Sequence, residues 1–298
     1  VSTTATTPPT DPTVPTVPTV PTVDQLLSDA RVRLAAASFA PPRREALLLL
    51  GWVLGWSEAQ VLARGEVAVE PGTAARFRAL LERRLGGEPM AYLKGEKEFY
   101  GRPFHVDGRV LIPRPETEHL VEAALAWPLP GAPRILDVGT GSGCLAVTLA
   151  LELPTARVVA TDLSLGALAV ARSNGCRHGV EERIHWAAAD LATAVALSTF
   201  DLVVSNPPYI DPAGAAALSV EITAFEPSLA LYAEDGGLAA VEALLDAARG
   251  LSPGAGLLLE IGAGQGAAVA AAARQRGLHL ERMVEDYGGI PRTVILKR

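Results

Sequence analysis

The chain has 298 residues, is 49% apolar and 20% charged, and carries a formal net charge of −7. That acidity argues against a protein that holds nucleic acid chiefly through its phosphates, because such domains carry a basic excess. Cys144 and Cys176 are the two cysteines, without metal-type spacing, and the five histidines do not cluster, so neither a disulfide framework nor a metal site is expected.

The length suits one large domain or two moderate ones. Residues 1–22 are low in complexity. Pro-Thr-Val repeats four times from Pro12 to Val23. Proline at every third position favours an extended polyproline conformation, and a disordered tail is expected. The first thirty residues contain no Lys or Arg, which fits neither a signal peptide nor an Arg-rich transit peptide.

Residues 23–88 read as a helical bundle. Leu26, Leu27, Ala30 and Leu34 recur at helical spacing. "PPRREALLLLGWVLG" opens on prolines, which a helix accepts in its first turn. Ser57 is a candidate N-cap, and a further helix begins after Pro71 and stops at Gly86–Gly87. The apolar run at 46–56 falls short of the roughly 20 residues that span a bilayer. It reads as a buried helix, and a soluble, cytoplasmic chain with no membrane partner is expected. Arg43, Arg44, Arg76, Arg78, Arg83 and Arg84 enrich this region in positive charge, as a solvated face or a docking surface.

Residues 89–115 mix Gly, Pro and aromatics with short strand-like runs and read as a hairpin linker. A helix follows from Glu116 to near Ala126. From Arg134 the pattern alternates. "RILDVG", "RVVATD", "RIHWAAAD", "FDLVVSN" and "GLLLEIG" are short apolar strands, with helices between most of them and a long one over 236–250. Two closing strands are expected over 278–284 and 292–297. Such alternation predicts a parallel sheet covered on both faces.

"LDVGTGSGCLA" follows the first of these strands and opens a helix. Gly139, Gly141 and Gly143, with Thr140 and Ser142 between them, let the backbone turn tightly and approach a ligand. Asp162 ends the next strand about 20 residues on, where a carboxylate accepts ribose hydroxyls. Asp190, followed by Leu191, is expected to end the third strand. Position 144 is Cys, so the dinucleotide fingerprint is not met, and Asp137 just before the loop suits a cationic ligand. The set resembles S-adenosylmethionine-dependent methyltransferases of the seven-stranded type.

The fourth strand runs into Asn206-Pro207-Pro208-Tyr209. Two prolines remove two backbone donors, fix two φ angles and hold Asn206 extended. Asn206 Oδ1 and the Pro207 carbonyl are both acceptors. Together they can hold the two N–H groups of a planar nitrogen and stabilise charge that develops on it. Tyr209 can stack on a planar group. The resemblance is to enzymes that methylate amide or exocyclic amino nitrogens.

The flanks "GEKEFYGRPFHV", "LIPRPETEHLVE" and "FEPSLALYAEDGGL" resemble the release-factor glutamine N5-methyltransferase family (HemK/PrmC type) over residues 24–298. The resemblance implies an α/β fold: a seven-stranded Rossmann-like S-adenosylmethionine-dependent methyltransferase domain at 116–298, preceded by a substrate-docking helical bundle at 23–88 and the hairpin linker. It implies S-adenosylmethionine on Gly139 to Gly143, Asp162, Asp190, Leu191 and Asn206. It implies that Asn206 to Tyr209 hold the glutamine of the Gly-Gly-Gln motif in peptide-chain release factors. Family members often carry an aromatic where this chain has Leu191, so adenine stacking there is expected to be weaker. "IPRPETE" at 112–118 would wall the site, and Glu226 would help hold the Asn206–Tyr209 loop. A monomer that needs no nucleic acid and no metal is the expectation. Glutamine methylation of a ribosomal protein, DNA adenine methylation and a binding module without turnover are the alternatives. A DNA enzyme would normally add a target-recognition domain and a basic face, and neither is visible.

Overall fold

The computed structural model describes residues 20–193, 195–286 and 288–298. The chain divides into two compact units, the first ending at Gly86 and the second running from Gly87 to Arg298. Residues 1–19 of the expected tail lie outside the described residues. Its last two residues belong to the folded unit instead. The Pro21 carbonyl accepts from Val69 N at 2.8 Å. Thr22 caps the first helix, accepting from Gln25 N, while Gln25 Oε1 accepts from Thr22 N at 2.9 Å. A hydroxyl residue three positions before a Gln makes this reciprocal cap, and it overrides the tail's repeat.

The first unit consists of α1 (Val23–Ala36), α2 (Pro42–Leu54), α3 (Glu58–Ala63) and α4 (Pro71–Leu85). Val23, Leu26, Ala30 and Leu34 form the buried stripe of α1. They meet a core that includes Leu49, Leu50, Phe77 and Leu81. Ser57 caps α3 through the same reciprocal arrangement with Gln60. Gly86 caps α4. The expected basic face loses one member. Arg84 is buried, donates to Glu45 Oε2 at 2.8 Å and lies over the Phe39 ring. Burial of a guanidinium requires such a partner.

The second unit opens with α5 (Met90–Lys94) and the hairpin β1 (Glu96–Phe99) and β2 (Arg102–His105). The hairpin packs into this unit. Phe99 and Phe104 meet edge to face at 6.1 Å and are buried in the core cluster that holds Ile135 and Leu149. Next come α6 (Glu118–Ala126), β3 (Arg134–Val138), α7 (Cys144–Glu152), β4 (Arg157–Asp162), α8 (Leu165–Arg177), β5 (Ile184–Ala188) and β6 (Leu202–Ser205). Three short helical turns follow, α9 (Val220–Phe225), α10 (Ser228–Leu231) and α11 (Glu234–Gly237). The chain closes with α12 (Ala239–Ala247), β7 (Gly256–Glu260), α13 (Gly266–Gln275), β8 (His279–Glu285) and β9 (Pro291–Lys297). The long helix expected over 236–250 is shorter. Asp235 and Gly236 take left-handed backbone angles, which a continuous helix cannot contain.

Seven strands form one sheet in the order β5-β4-β3-β6-β7-β9-β8, with β9 antiparallel to both neighbours. Alternate residues feed opposite faces, as strand geometry requires. Ile135, Leu202, Val204 and Leu258 join the cluster under α6 and α7. Leu136, Val138, Val203, Leu257 and Leu259 join the one under α12 and α13. Burial on both faces explains why these strands read as continuous apolar runs.

The chain leaves β3 toward β4 and β5 on one side, then crosses to β6 and β7 on the other. This reversal opens a crevice at the carboxyl ends of β3 and β6. Val138 pairs with Ser205, so Gly139 and Asn206 leave the sheet side by side. Among the described residues no helix is long and apolar enough to cross a membrane. Leu136 is fully buried where β3 enters this arrangement. Leu136→Ala is expected to cost roughly 2–5 kcal/mol, read as a lower midpoint in denaturant unfolding; a loss below about 1 kcal/mol would contradict the packing described.

Candidate active site

A cavity of about 560 Å³ lies at the crevice, within the second unit. Its size falls in the range of small-molecule sites. Gly139 to Ser142, Asp162, Asp190, Leu191, Asn206 and Pro208 all line it, together with Thr117 and Leu229. Gly143, Pro207 and Tyr209 do not. The crossover thus gathers four separate strand ends around one space.

The glycine loop is shaped by backbone angle and by close approach. Gly139 (φ 71°) and Gly141 (φ 55°) occupy the left-handed region, and a Cβ on either would meet no close neighbour. There the requirement is conformational. At Gly143 (φ 80°) a Cβ would stand 3.0 Å from Cα and Cβ of Ala171, so this glycine also lets α7 and α8 touch.

Asp137 builds the loop from beneath. Its Oδ2 accepts from the Thr140 hydroxyl at 2.6 Å and from Ala146 N at 3.1 Å. It is fully buried, does not line the cavity, and leaves Oδ1 without a partner among the described residues. Burial pushes its carboxyl up to about 7, against the pull of those two bonds. Asp137 thus supports the glycine loop from beneath. Asn174, also fully buried, donates from Nδ2 to the Ser142 carbonyl at 2.8 Å and to the His105 carbonyl at 2.9 Å. It ties the glycine loop to the hairpin.

Asp162 is held by two backbone donors, Gly141 N to Oδ2 at 2.9 Å and Ser164 N to Oδ1 at 2.8 Å. Each oxygen keeps further acceptor capacity. The third strand stops earlier than expected. β5 ends at Ala188 and Asp190 lies beyond it. Leu191 turns to φ 49°, and the Asp190 carbonyl accepts from Thr193 N and the Thr193 hydroxyl. That turn withdraws the backbone from the sheet.

The exit from β6 is braced on several sides. Ser205 Oγ donates to the Val138 carbonyl at 2.7 Å. Asn206 Nδ2 donates to Thr117 Oγ1 at 3.1 Å, and the Thr117 hydroxyl donates to Glu260 Oε2 at 2.6 Å. The Tyr209 hydroxyl donates to the other oxygen, Oε1, at 3.3 Å. Tyr209 is thus turned onto Glu260, not into the cavity as a stacking platform. Gln265 Nε2 donates to the Tyr209 carbonyl at 3.1 Å, and Ile210 pairs with the 231–233 segment. A Cβ on Gly237 would collide with the Tyr209 carbonyl oxygen. Glu226 holds a different loop from the one expected: its Oε1 accepts from Arg114 at 2.6 Å, tying it to the 112–118 segment. Burial raises the Glu226 carboxyl, and the Arg114 guanidinium opposes the rise.

Among the described residues nothing donates to Asn206 Oδ1 or to the Pro207 carbonyl. Sequence reasoning named Thr117 only as part of a wall and missed Glu260, Gln265 and Asn174. Glu260 had a readable signal, since one acid inside the apolar run "GLLLEIG" must find partners when buried.

Thr117 and Glu260 are 2% and 1% exposed. Burial pushes the Glu260 carboxyl up to about 7, against the hydrogen bonds from Thr117 and Tyr209. Its ordinary value is 4.5. The folded chain therefore holds this proton more tightly than the unfolded chain does. The resulting stabilisation is full below the unfolded value and is lost as pH rises through 7; Asp137 acts in the same direction. Glu260→Gln is expected to shrink the fall in melting temperature between pH 5 and pH 8. An unchanged fall would show that Glu260 titrates at its ordinary value.

Residues 25–95 match the PrmC N-terminal domain and residues 119–248 the methyltransferase small domain. The chain is 42% identical over 278 residues to the release factor glutamine methyltransferase of Nitratidesulfovibrio vulgaris, covering 92% of this chain and 94% of that one. It is 48% identical over 255 residues to the release factor glutamine methyltransferase of Bordetella pertussis, covering 84% and 93%. In fold it is similar to a methyltransferase from Pyrococcus furiosus, with a TM-score of 0.51 at 18% identity over 72% of this chain and 96% of that one. With relatives this similar along nearly their whole length, the chain belongs to the release factor glutamine methyltransferase family.

Proposed function

We propose that this chain transfers a methyl group from S-adenosylmethionine to the side-chain amide nitrogen of the glutamine in the Gly-Gly-Gln motif of peptide-chain release factors, in the cytoplasm. The observation that carries this reading is the pair of uncommitted acceptors, Asn206 Oδ1 and the Pro207 carbonyl, at a strand end that leaves the sheet beside the glycine loop.

The residues suit the donor. Asp162 has an acceptor position left on each oxygen for two ribose hydroxyls. Gly139 and Gly141 expose backbone to the cavity with no side chain in the way. Asp190 and Leu191 line the same space for the base. When bound, S-adenosylmethionine supplies an electrophilic methyl on a positively charged sulfur.

The chain's own work is to prepare the nitrogen. An amide lone pair is delocalised into its carbonyl and attacks poorly. Asn206 Oδ1 and the Pro207 carbonyl accept the two N–H groups and direct the lone pair toward the donor side of the cavity. As positive charge grows on nitrogen, both hydrogen bonds strengthen, so they favour the transition state over the ground state. Both prolines keep the acceptors rigid before substrate arrives. The proton leaves after transfer, so no strong base is needed. The helical unit at 23–88 is the proposed docking element for the folded substrate.

Incubation with labelled donor and purified release factor, ribosomes or DNA tests the reading. Label on the release factor glutamine is expected; label on a ribosomal protein or on DNA instead would overturn it. Asn206→Ala is expected still to bind the donor through the glycine loop and Asp162, and to lose about a hundredfold to a thousandfold in rate. Single-turnover methylation at the wild-type rate would refute the acceptor pair. Asp162→Ala is expected to weaken donor binding by about tenfold to a hundredfold, as a charged acceptor is lost; calorimetry with an unchanged Kd would move the ribose elsewhere.

A further inference from the structure

An asparagine side chain can face a substrate either way round. Turned correctly it offers an oxygen; turned over, it offers two N–H groups that would repel an amide NH2. Any reading in which Asn206 accepts from substrate leaves open what holds it the right way. The prolines do not, because they fix backbone angles and leave the last torsion of Asn206 free. That torsion joins sp³ and sp² carbons and is intrinsically broad.

The structure assigns this task to Thr117 and Glu260: they are positioning residues that lock the Asn206 amide with its oxygen toward the substrate. The inference rests on the acceptor role of Asn206 proposed above. Its logic is a count of protons. Glu260 is buried among donors, with the Tyr209 hydroxyl on Oε1 and the Thr117 hydroxyl on Oε2. As the carboxylate, the form that prevails above about pH 7, Glu260 accepts on both oxygens. A threonine hydroxyl has one proton, and at 2.6 Å from Glu260 that proton is committed. Toward Asn206, at 3.1 Å, Thr117 Oγ1 has only lone pairs to offer. The group that faces it must be the Asn206 NH2. Oδ1 then points away from Thr117, and among the described residues nothing donates to it. Turning the amide over would set two oxygens against each other with no proton between them.

The three residues come from distant parts of the sequence: the turn before α6, the end of β6 and the end of β7. Glu260 is absent from the cavity lining and reaches a substrate only through Thr117 and Asn206; Thr117, 2% exposed, contributes to the lining. The hydroxyl orders the catalytic amide as an acidic partner orders an imidazole, by leaving it one orientation that satisfies every hydrogen bond.

The test uses the full-length protein, release factor and S-adenosylmethionine at pH 8, where Glu260 is the carboxylate. Thr117→Val keeps the shape of the side chain and removes the hydroxyl. The expected result is a kcat about tenfold to a hundredfold lower, with KM for release factor and Kd for the donor within twofold of wild type. Thr117→Ser, which restores the hydroxyl, is expected to return kcat to within threefold. A wild-type kcat in Thr117→Val, or a Thr117→Ser variant as slow as Thr117→Val, overturns the inference. If Thr117→Val does not fold, Thr117→Ala carries the test. It removes the hydroxyl without crowding the site, and its kcat is expected to fall at least about tenfold; a wild-type value overturns the inference. Asn206→Ala, measured alongside, separates the two readings. A fast Asn206→Ala refutes the acceptor role itself, whereas a slow Asn206→Ala with a fast Thr117→Val refutes only the locking.

Discussion

The parallel pairing of β3 with β6 is the constraint on which the site depends. Val138 lies opposite Ser205, and the Ser205 hydroxyl donates to the Val138 carbonyl. Because the register is set residue by residue, the loops that begin at Gly139 and Asn206 start at the same height above the sheet. A slip of one residue would exchange the faces of β6 and bury the wrong side chains. Val203 packs under α12 and α13 while Leu202 and Val204 pack under α6 and α7. The hydrophobic core therefore sets the register, and the register sets the distance between a donor-binding loop and an acceptor pair.

Much of the site's precision comes from polar groups placed where they are costly. Asp137, Asn174, Thr117 and Glu260 are each at most 2% exposed. Burying a polar group is costly, and hydrogen bonds offset that cost. Each of these therefore admits few arrangements. Asp137 fixes Thr140 and the start of α7, Asn174 fixes Ser142, and Glu260 fixes Thr117 and Tyr209. The exposed loop atoms inherit this order without adding burial of their own. In such a site much of the ordering is done by residues that are almost wholly buried.

The loop after β6 shows the same economy in its backbone. The Tyr209 carbonyl is held by Gln265, and Gly237 gives it room that any side chain would fill. Ile210 pairs with the segment at 231–233 on the far side. Two prolines stiffen the chain from within, and these contacts fix it from without.

The sequence by itself determined the elements and the chemistry of individual positions. Alternating apolar strands and helices predicted a doubly covered sheet, because burial on both faces leaves a continuous apolar run. Gly139, Gly141 and Gly143 were legible because only glycine enters the left-handed region freely, and Asn206 was legible because two prolines hold it extended at the end of a strand. What the tertiary structure decided is which polar groups meet. Thr117, Asn206 and Glu260 lie far apart in sequence, and no local pattern says that one hydroxyl bridges the other two. Tyr209 looked like a surface for stacking until the fold turned its hydroxyl onto Glu260, and no local pattern says that Asp137 is buried beneath the glycine loop. Propensity and periodicity act within a few residues. A hydrogen bond between strand ends depends on the order of strands, which only the folded sheet supplies.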